Sequence, residues 1–247
     1  FLTELVSAFS QDNANVKVIF VVRNPVERLY SSFKFAYNTY AKFGNFDEFI
    51  VSGMDLNGKF GDLREMLTNG TDMHAILDVY YNLTYSDAAR GSLFMHSLYA
   101  LPVQHYVNIL GRENVKVVSA EDLDVHDPVR LYDTLNSVFR FIGVCAVPIT
   151  DLVPSLPSRN TVPVPNQMSQ DMYAKLTRFF RPFNSHLMAI SEVNATRWND
   201  KTPPAKLPRY SPLLNKTMPE LWFEIKENAA GKKMFAGELT AHLLPQK

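Results

Sequence analysis

Arg23 closes an apolar, β-branched run and Ser31 follows eight positions later. Together they are the pair in this sequence best suited to hold an anion. A guanidinium gives a phosphate two parallel, charged hydrogen bonds. A hydroxyl can add a third. The run Val16-Lys17-Val18-Ile19-Phe20-Val21-Val22 reads as a strand, and Arg23 would stand at its carboxyl end, the edge where open α/β sheets receive ligands. Asn24-Pro25-Val26-Glu27 reads as a helix start: an N-cap, a proline at the first helical position and the acidic partner of a capping box. A helix beginning there turns its positive end toward the same crevice. The spacing is equally met if Arg23 pairs with a carboxylate and Ser31 sits on a solvated face, so residue types alone leave both readings open.

Other groups carry weaker signals. Gly53-Met54-Asp55-Leu56-Asn57-Gly58-Lys59 fits the phosphate-loop pattern, but Phe60 stands where a magnesium-binding Ser or Thr is needed. It also falls between helical segments, so a glycine-rich surface loop is expected. None of the six histidines forms an i, i+4 metal pair. His96 and His105 fall in one expected helix and could move protons near neutral pH, or simply be structural. Arg90 precedes that helix and could meet an anionic chain or only solvent. Cys145 is the single cysteine, which excludes an intrachain disulfide or a multi-cysteine zinc site; its apolar neighbours predict burial. Asn69, Asn82, Asn194 and Asn215 each begin an N-x-[ST] sequon, compatible with a lumenal protein.

These groups need a scaffold. The apolar, β-branched pattern of residues 16–22, with Lys17 its one charged member, predicts a strand buried on both faces. Leu29, Tyr30, Phe33, Tyr37 and Tyr40 recur at helical spacing, opposite Glu27, Ser31, Lys34 and Asn38, so residues 25–40 should be a helix. Short helices broken at Gly53, Gly58 and Gly61 are expected over 47–67. A longer helix over 87–110 should kink or divide at Pro102. Val115–Val118 reads as a second strand, and a helix runs from Asp127-Pro128 to Gly143. A last helix over 168–192 should be interrupted near Pro182. Strands alternating with helices predict an α/β fold, a parallel sheet flanked by helices.

Composition bounds the rest. In 247 residues, 46% are hydrophobic and 20% charged, which suits a chain with a real core. Lys+Arg and Asp+Glu both number 25, so the formal charge is zero and no polycationic nucleic-acid binder is expected. The longest apolar run is far short of a membrane span.

Arg23-Asn24-Pro25-Val26-Glu27-Arg28-Leu29-Tyr30-Ser31 resembles the 3′-phosphate-binding segment of sulfotransferases that use 3′-phosphoadenylyl sulfate (PAPS). Ser97-Leu98-Tyr99, the strand and acidic turn Val115–Leu123, Phe139–Gly143, and Phe179-Phe180-Arg181-Pro182-Phe183-Asn184 with Trp198 follow in the family's order. The set looks nearest to the Golgi carbohydrate sulfotransferases of the chondroitin type. The resemblance implies a P-loop NTPase-like sulfotransferase fold over residues 1–200, N-terminally incomplete, with 201–247 a proline-rich tail or linker. It implies PAPS as co-substrate, no metal, a glycan or proteoglycan acceptor, and no nucleic acid as partner. Arg23 and Ser31 would hold the donor's 3′-phosphate, Arg159 would cover its adenosine end and Arg90 would meet the acceptor. The 5′-phosphosulfate loop and the general base would lie upstream of Phe1, with His96 the candidate base inside the chain. The full-length protein would be a single-pass type II membrane protein of the Golgi lumen, anchored by a segment outside this chain. The alternative is a catalytically inactive nucleotide- or glycan-binding module. A nucleoside or shikimate-type kinase would need a true phosphate loop and ranks last.

Overall fold

The structure is a computed structural model that describes residues 16–35, 44–53, 58–86, 91–124, 127–146 and 168–200. Its elements are β1 (Val18–Val22), α1 (Pro25–Phe35), α2 (Phe46–Gly53), α3 (Lys59–Thr68), α4 (Met73–Ser86), α5 (Gly91–Met95), α6 (Ala100–Leu110), β2 (Val115–Ser119), α7 (Pro128–Ile142) and α8 (Gln170–Ile190). Single 3-10 turns at Arg112–Asn114, Ala120–Leu123 and Thr196–Asn199 complete the set. The chain clusters into two compact units, Phe1–Ser119 with Arg159–Pro204, and Ala120–Ser158 with Ala205–Lys247.

The first unit contains the sheet. β1 and β2 pair in parallel, Val18 opposite Val115 and Val22 opposite Ser119, so the chain between them is a crossover built of helices. This is the α/β arrangement expected from the sequence, and it puts the carboxyl ends of both strands on one edge. Burial of β1 on both faces is not found: Ile19 is 38% and Val21 59% exposed, while Val22 is buried. Lys17, just before β1, falls in step with Ile19 and Val21 and was the one polar mark of the open face in an otherwise apolar run.

The core of this unit joins Val22 and Val26 to Leu29 and Phe33 of α1, Phe46, Phe49 and Ile50 of α2, and Leu63 of α3. It continues through Phe94, Leu98 and Leu101 to Leu176, Phe180 and Leu187 of α8. Phe94 is a hub: its ring centroid lies 4.8 Å from Phe60, 5.0 Å from Phe179 and 5.1 Å from Phe180. α8 packs on α6, α3 and α1. Burying rings of this size is the largest favourable contribution a domain this small can make.

Glycine and proline account for the other departures. Gly61 is buried inside α3 and does not break it, since neighbours Phe60 and Leu63 are drawn into the core. The expected 87–110 helix divides, but before Pro102: α5 ends at Met95 and α6 restarts at Ala100. Pro102 therefore sits in the first turn of α6, where its missing N–H leaves no intrahelical bond unmade. Pro182 does not interrupt α8, which runs unbroken from Gln170 to Ile190. Phe179, Phe180, Phe183 and Leu187 are buried on both sides of it, and that burial outweighs one lost backbone bond. Residues 36–43, and with them Tyr37, Asn38 and Tyr40, lie outside the described set. Among the described residues, no helix is long and apolar enough to cross a membrane.

In the second unit α7 starts and stops as its sequence demands. The Asp127 carboxylate accepts the Arg130 N–H, Pro128 follows the cap, and Gly143 takes a left-handed φ of 78° that closes the helix. The chain then leaves the helix, so Cys145 is exposed and not buried as its apolar neighbours suggested.

Candidate functional site

Arg23 is the first residue beyond β1, and Asn24 begins α1. The Asn24 side-chain Oδ1 accepts the N–H of Val26 at 3.0 Å and of Glu27 at 3.4 Å, and its own carbonyl accepts the Arg28 N–H at 2.9 Å. Its Nδ2 donates to the Tyr173 hydroxyl of α8 at 3.2 Å. Asn24 and Tyr173 are both buried. The N-cap read from the sequence is therefore present, with a long-range tether that the sequence does not advertise.

Arg23 stays open. Its side chain is 39% exposed, and its guanidinium lies 3.8 Å from the Glu27 carboxylate, a long and partly solvated pair. Glu27 thus meets Arg23 as well as opening the helix with the acidic residue that its positive end favours. Ser31 lies on the exposed side of α1. Glu27, 3.8 Å from Arg23, lies one helical turn before Ser31 on α1.

Arg28 was not singled out in the sequence, and it proves the most constrained cation of the region. Its Nη1 donates to the Leu93 carbonyl at 2.7 Å and to the buried Ser97 hydroxyl at 3.3 Å. Burial pulls its pKa below the usual arginine value; Tyr99 opposes this and Arg23 adds to it. Arg28 ties α1 to the turn after α5, and that turn carries His96. His96 is thus on a turn and not within a helix, because the helix broke ahead of Pro102. It is exposed, yet partial desolvation and then the charge of Arg28 hold its pKa below the ordinary value, which favours a neutral imidazole near pH 7. No spacing signal marked Arg28: it lies one turn before Ser31, off the stripe of Leu29 and Phe33, and its partners come from α5 and the turn after it.

His105 and His186 have structural partners. His105 lies edge-on to Tyr81 and Tyr106 at 5.1 and 5.9 Å, and burial lowers its pKa. His186 Nε2 is 2.9 Å from Gln104 Oε1, while Gln104 Nε2 donates to Asn108. That arrangement puts the His186 proton on Nε2, and burial again favours its neutral form.

Asn69, Asn82 and Asn194 are exposed. Arg90, Arg159 and Asn215 lie outside the described residues, as do 54–57 of the glycine-rich segment; Gly53 ends α2 and Lys59 begins α3, so helices bound that segment on both sides. Among the described residues, no group of three His, Cys, Asp or Glu side chains could hold a metal ion.

The site offers an open guanidinium just before a capped helix, at the carboxyl edge of a parallel strand pair, and an exposed hydroxyl on that helix. Such a donor set fits a phosphate better than a metal or a neutral ligand. No curated protein matches the chain. A crystal structure of a sulfotransferase from Alicyclobacillus acidocaldarius is similar at 21% identity with a TM-score of 0.46, covering 78% of this chain and 61% of that one. The chain therefore spans less than two thirds of that protein. Residues 5–90, the stretch that contains β1, Arg23, α1 and Ser31, match the family described as Sulfotransferase domain.

Proposed function

We propose that this chain carries the donor-binding part of a sulfotransferase that transfers a sulfuryl group from PAPS to a hydroxyl of a glycan, with Arg23 and Ser31 holding the donor's 3′-phosphate; residues 1–247 alone are expected to be inactive. One observation carries the reading: the segment matching the sulfotransferase family contains a strand, an open arginine and a capped helix with an exposed serine in one continuous unit. Bound PAPS would supply the activated sulfuryl group. The chain's own residues would hold and orient it. Arg23 would exchange its long contact with Glu27 for two charged hydrogen bonds to phosphate, and Ser31 would add a hydroxyl. Gripping the donor remote from its reacting sulfur aligns the transferred group, which is catalysis by positioning.

Arg159 is assigned to the adenosine end of the donor and Arg90 to an anionic acceptor. His96, kept neutral beside Arg28, has the protonation state needed to accept the acceptor's hydroxyl proton. The exposed sequons at Asn69, Asn82 and Asn194, with Asn215, support a lumenal setting, and we assign the full-length protein to the Golgi lumen behind a type II membrane anchor.

Calorimetry of the full-length protein with adenosine 3′,5′-bisphosphate tests the donor site. Arg23→Ala should weaken binding by about 10- to 100-fold, the effect of losing a charged bidentate contact. Equal affinity for wild type and variant would remove Arg23 from the site.

A further inference from the structure

We propose that Tyr173 is a positioning residue of this phosphate site, an inference that rests on the donor reading above: its phenol oxygen fixes the Asn24 carboxamide in the one orientation that caps α1, and so sets where Arg23 and the first helical turn present their donors.

The amide has only two useful orientations. In the observed one Oδ1 accepts from Val26 and Glu27 while Nδ2 donates to Tyr173 at 3.2 Å. Turned over, Nδ2 would face two backbone N–H groups, donor against donor. The buried phenol therefore acts as acceptor, and it is the partner that a buried amide nitrogen must find. A serine or aspartate cap would satisfy the helix N–H groups without needing α8. The asparagine adds a donor, and with it a dependence on Tyr173.

Tyr173 is itself held. It lies in the first turn of α8, where its own N–H donates to the Ser169 carbonyl at 3.0 Å and the Met172 N–H donates to the Ser169 hydroxyl at 3.1 Å. The Ser169 N–H in turn faces the Asp47 carboxylate of α2 at 3.3 Å, and Tyr30 of α1 shares a backbone hydrogen bond with Met168. Burial keeps the phenol protonated above the usual tyrosine range, opposed by the Asn24 bond and reinforced by Glu27 and Asp200. The chain of contacts from α2 through the start of α8 to Asn24 is thus neutral at its last link and insensitive to pH over the working range.

Tyr173→Phe keeps the ring in the core and deletes only the acceptor. In the full-length protein without ligand, hydrogen exchange at the Val26 and Glu27 amides should quicken by about fivefold, the equivalent of one modest hydrogen bond. Affinity for adenosine 3′,5′-bisphosphate should fall by about three- to tenfold while the melting temperature moves little. In an Asn24→Ser background, whose cap has no amide to hold, the same change should alter neither readout. A purely structural tyrosine would lower stability without this dependence on Asn24. Unchanged Val26 and Glu27 exchange with bisphosphate binding intact overturns the role of Tyr173 alone. The same loss in the Asn24→Ser background does so too. Quickened exchange in a protein whose wild type does not bind the bisphosphate overturns the donor reading, and the positioning role with it.

Discussion

Two helices of this protein begin with the same local script and serve different ends. α1 starts Asn24-Pro25 with Arg28 in its first turns; α7 starts Asp127-Pro128 with Arg130. In both, the cap side chain accepts a backbone N–H, at 3.0 Å from Val26 and 3.1 Å from Arg130. The difference lies beyond the cap. Asn24 is buried and bound to Tyr173, and Arg28 bonds Leu93 and Ser97 far along the chain. Asp127 is exposed, and among the described residues Arg130 pairs with Asp122 at 2.8 Å, with 43% and 28% of the two side chains open to water. Capping is thus settled by four adjacent residues in either case. Preorganisation of a site needs buried groups from distant elements, and the start of α1 has them in Tyr173, Leu93 and Ser97.

The two arginines offer the widest separation. Arg28→Met strips a part-buried charge from a backbone carbonyl and a buried hydroxyl, leaving both acceptors without this donor. Charged hydrogen bonds of this kind contribute about 1.5–3 kcal/mol, and an orphaned buried acceptor adds to the loss, so destabilisation of about 3 kcal/mol is expected in urea unfolding. Arg130→Met breaks a solvated pair and should fall within about 1 kcal/mol of wild type. Equal losses at the two positions would erase the distinction between a tethered and a free helix start.

The caps should differ by less. Asn24→Ala leaves two N–H groups and a phenol without their partner inside the protein, and an effect of about 2 kcal/mol is expected. Asp127→Ala exposes its N–H groups to water, which satisfies them, and about 0.5–1 kcal/mol is expected. Chemical denaturation of the two variants side by side measures this. A larger loss at Asp127 would mean that the local cap, and not the tether, governs each helix.

The same contrast explains what was legible in the sequence. Caps, the left-handed stop at Gly143, the parallel strands and the neighbourhood of Arg23 are written in adjacent residues, and all could be read directly. The continuity of α8 through Pro182 could not, because it depends on Phe94 and its neighbours holding the helix from the side. The open face of β1 had one mark, Lys17, in step with Ile19 and Val21, but those two are as apolar as Val22, and the neighbouring elements decide which residues are covered. Arg28 and Tyr173 were invisible for the strongest version of this reason. Their partners lie 65 and 149 residues away, and no spacing rule connects them.

The smallest expected effect bears on how the open site is kept open. Glu27 lies 3.8 Å from Arg23 and one helical turn before Ser31. In a free site its carboxylate would hold the guanidinium toward α1; once a phosphate arrives, it becomes a like charge beside the ligand. Glu27→Gln removes that charge without changing shape. Stability should fall by no more than about 0.5 kcal/mol, the scale of an exposed i, i+4 pair together with an acidic residue near a helix start. Affinity for adenosine 3′,5′-bisphosphate should rise by about two- to fivefold at low salt, and the gain should shrink as ionic strength rises, since a partly exposed carboxylate is readily screened. Asp122→Asn, the corresponding change beside Arg130, should leave affinity unchanged. Weaker binding in Glu27→Gln would reverse the assignment: the carboxylate would then be orienting Arg23 for the ligand, and α1 would depend on its own first turn as well as on α8.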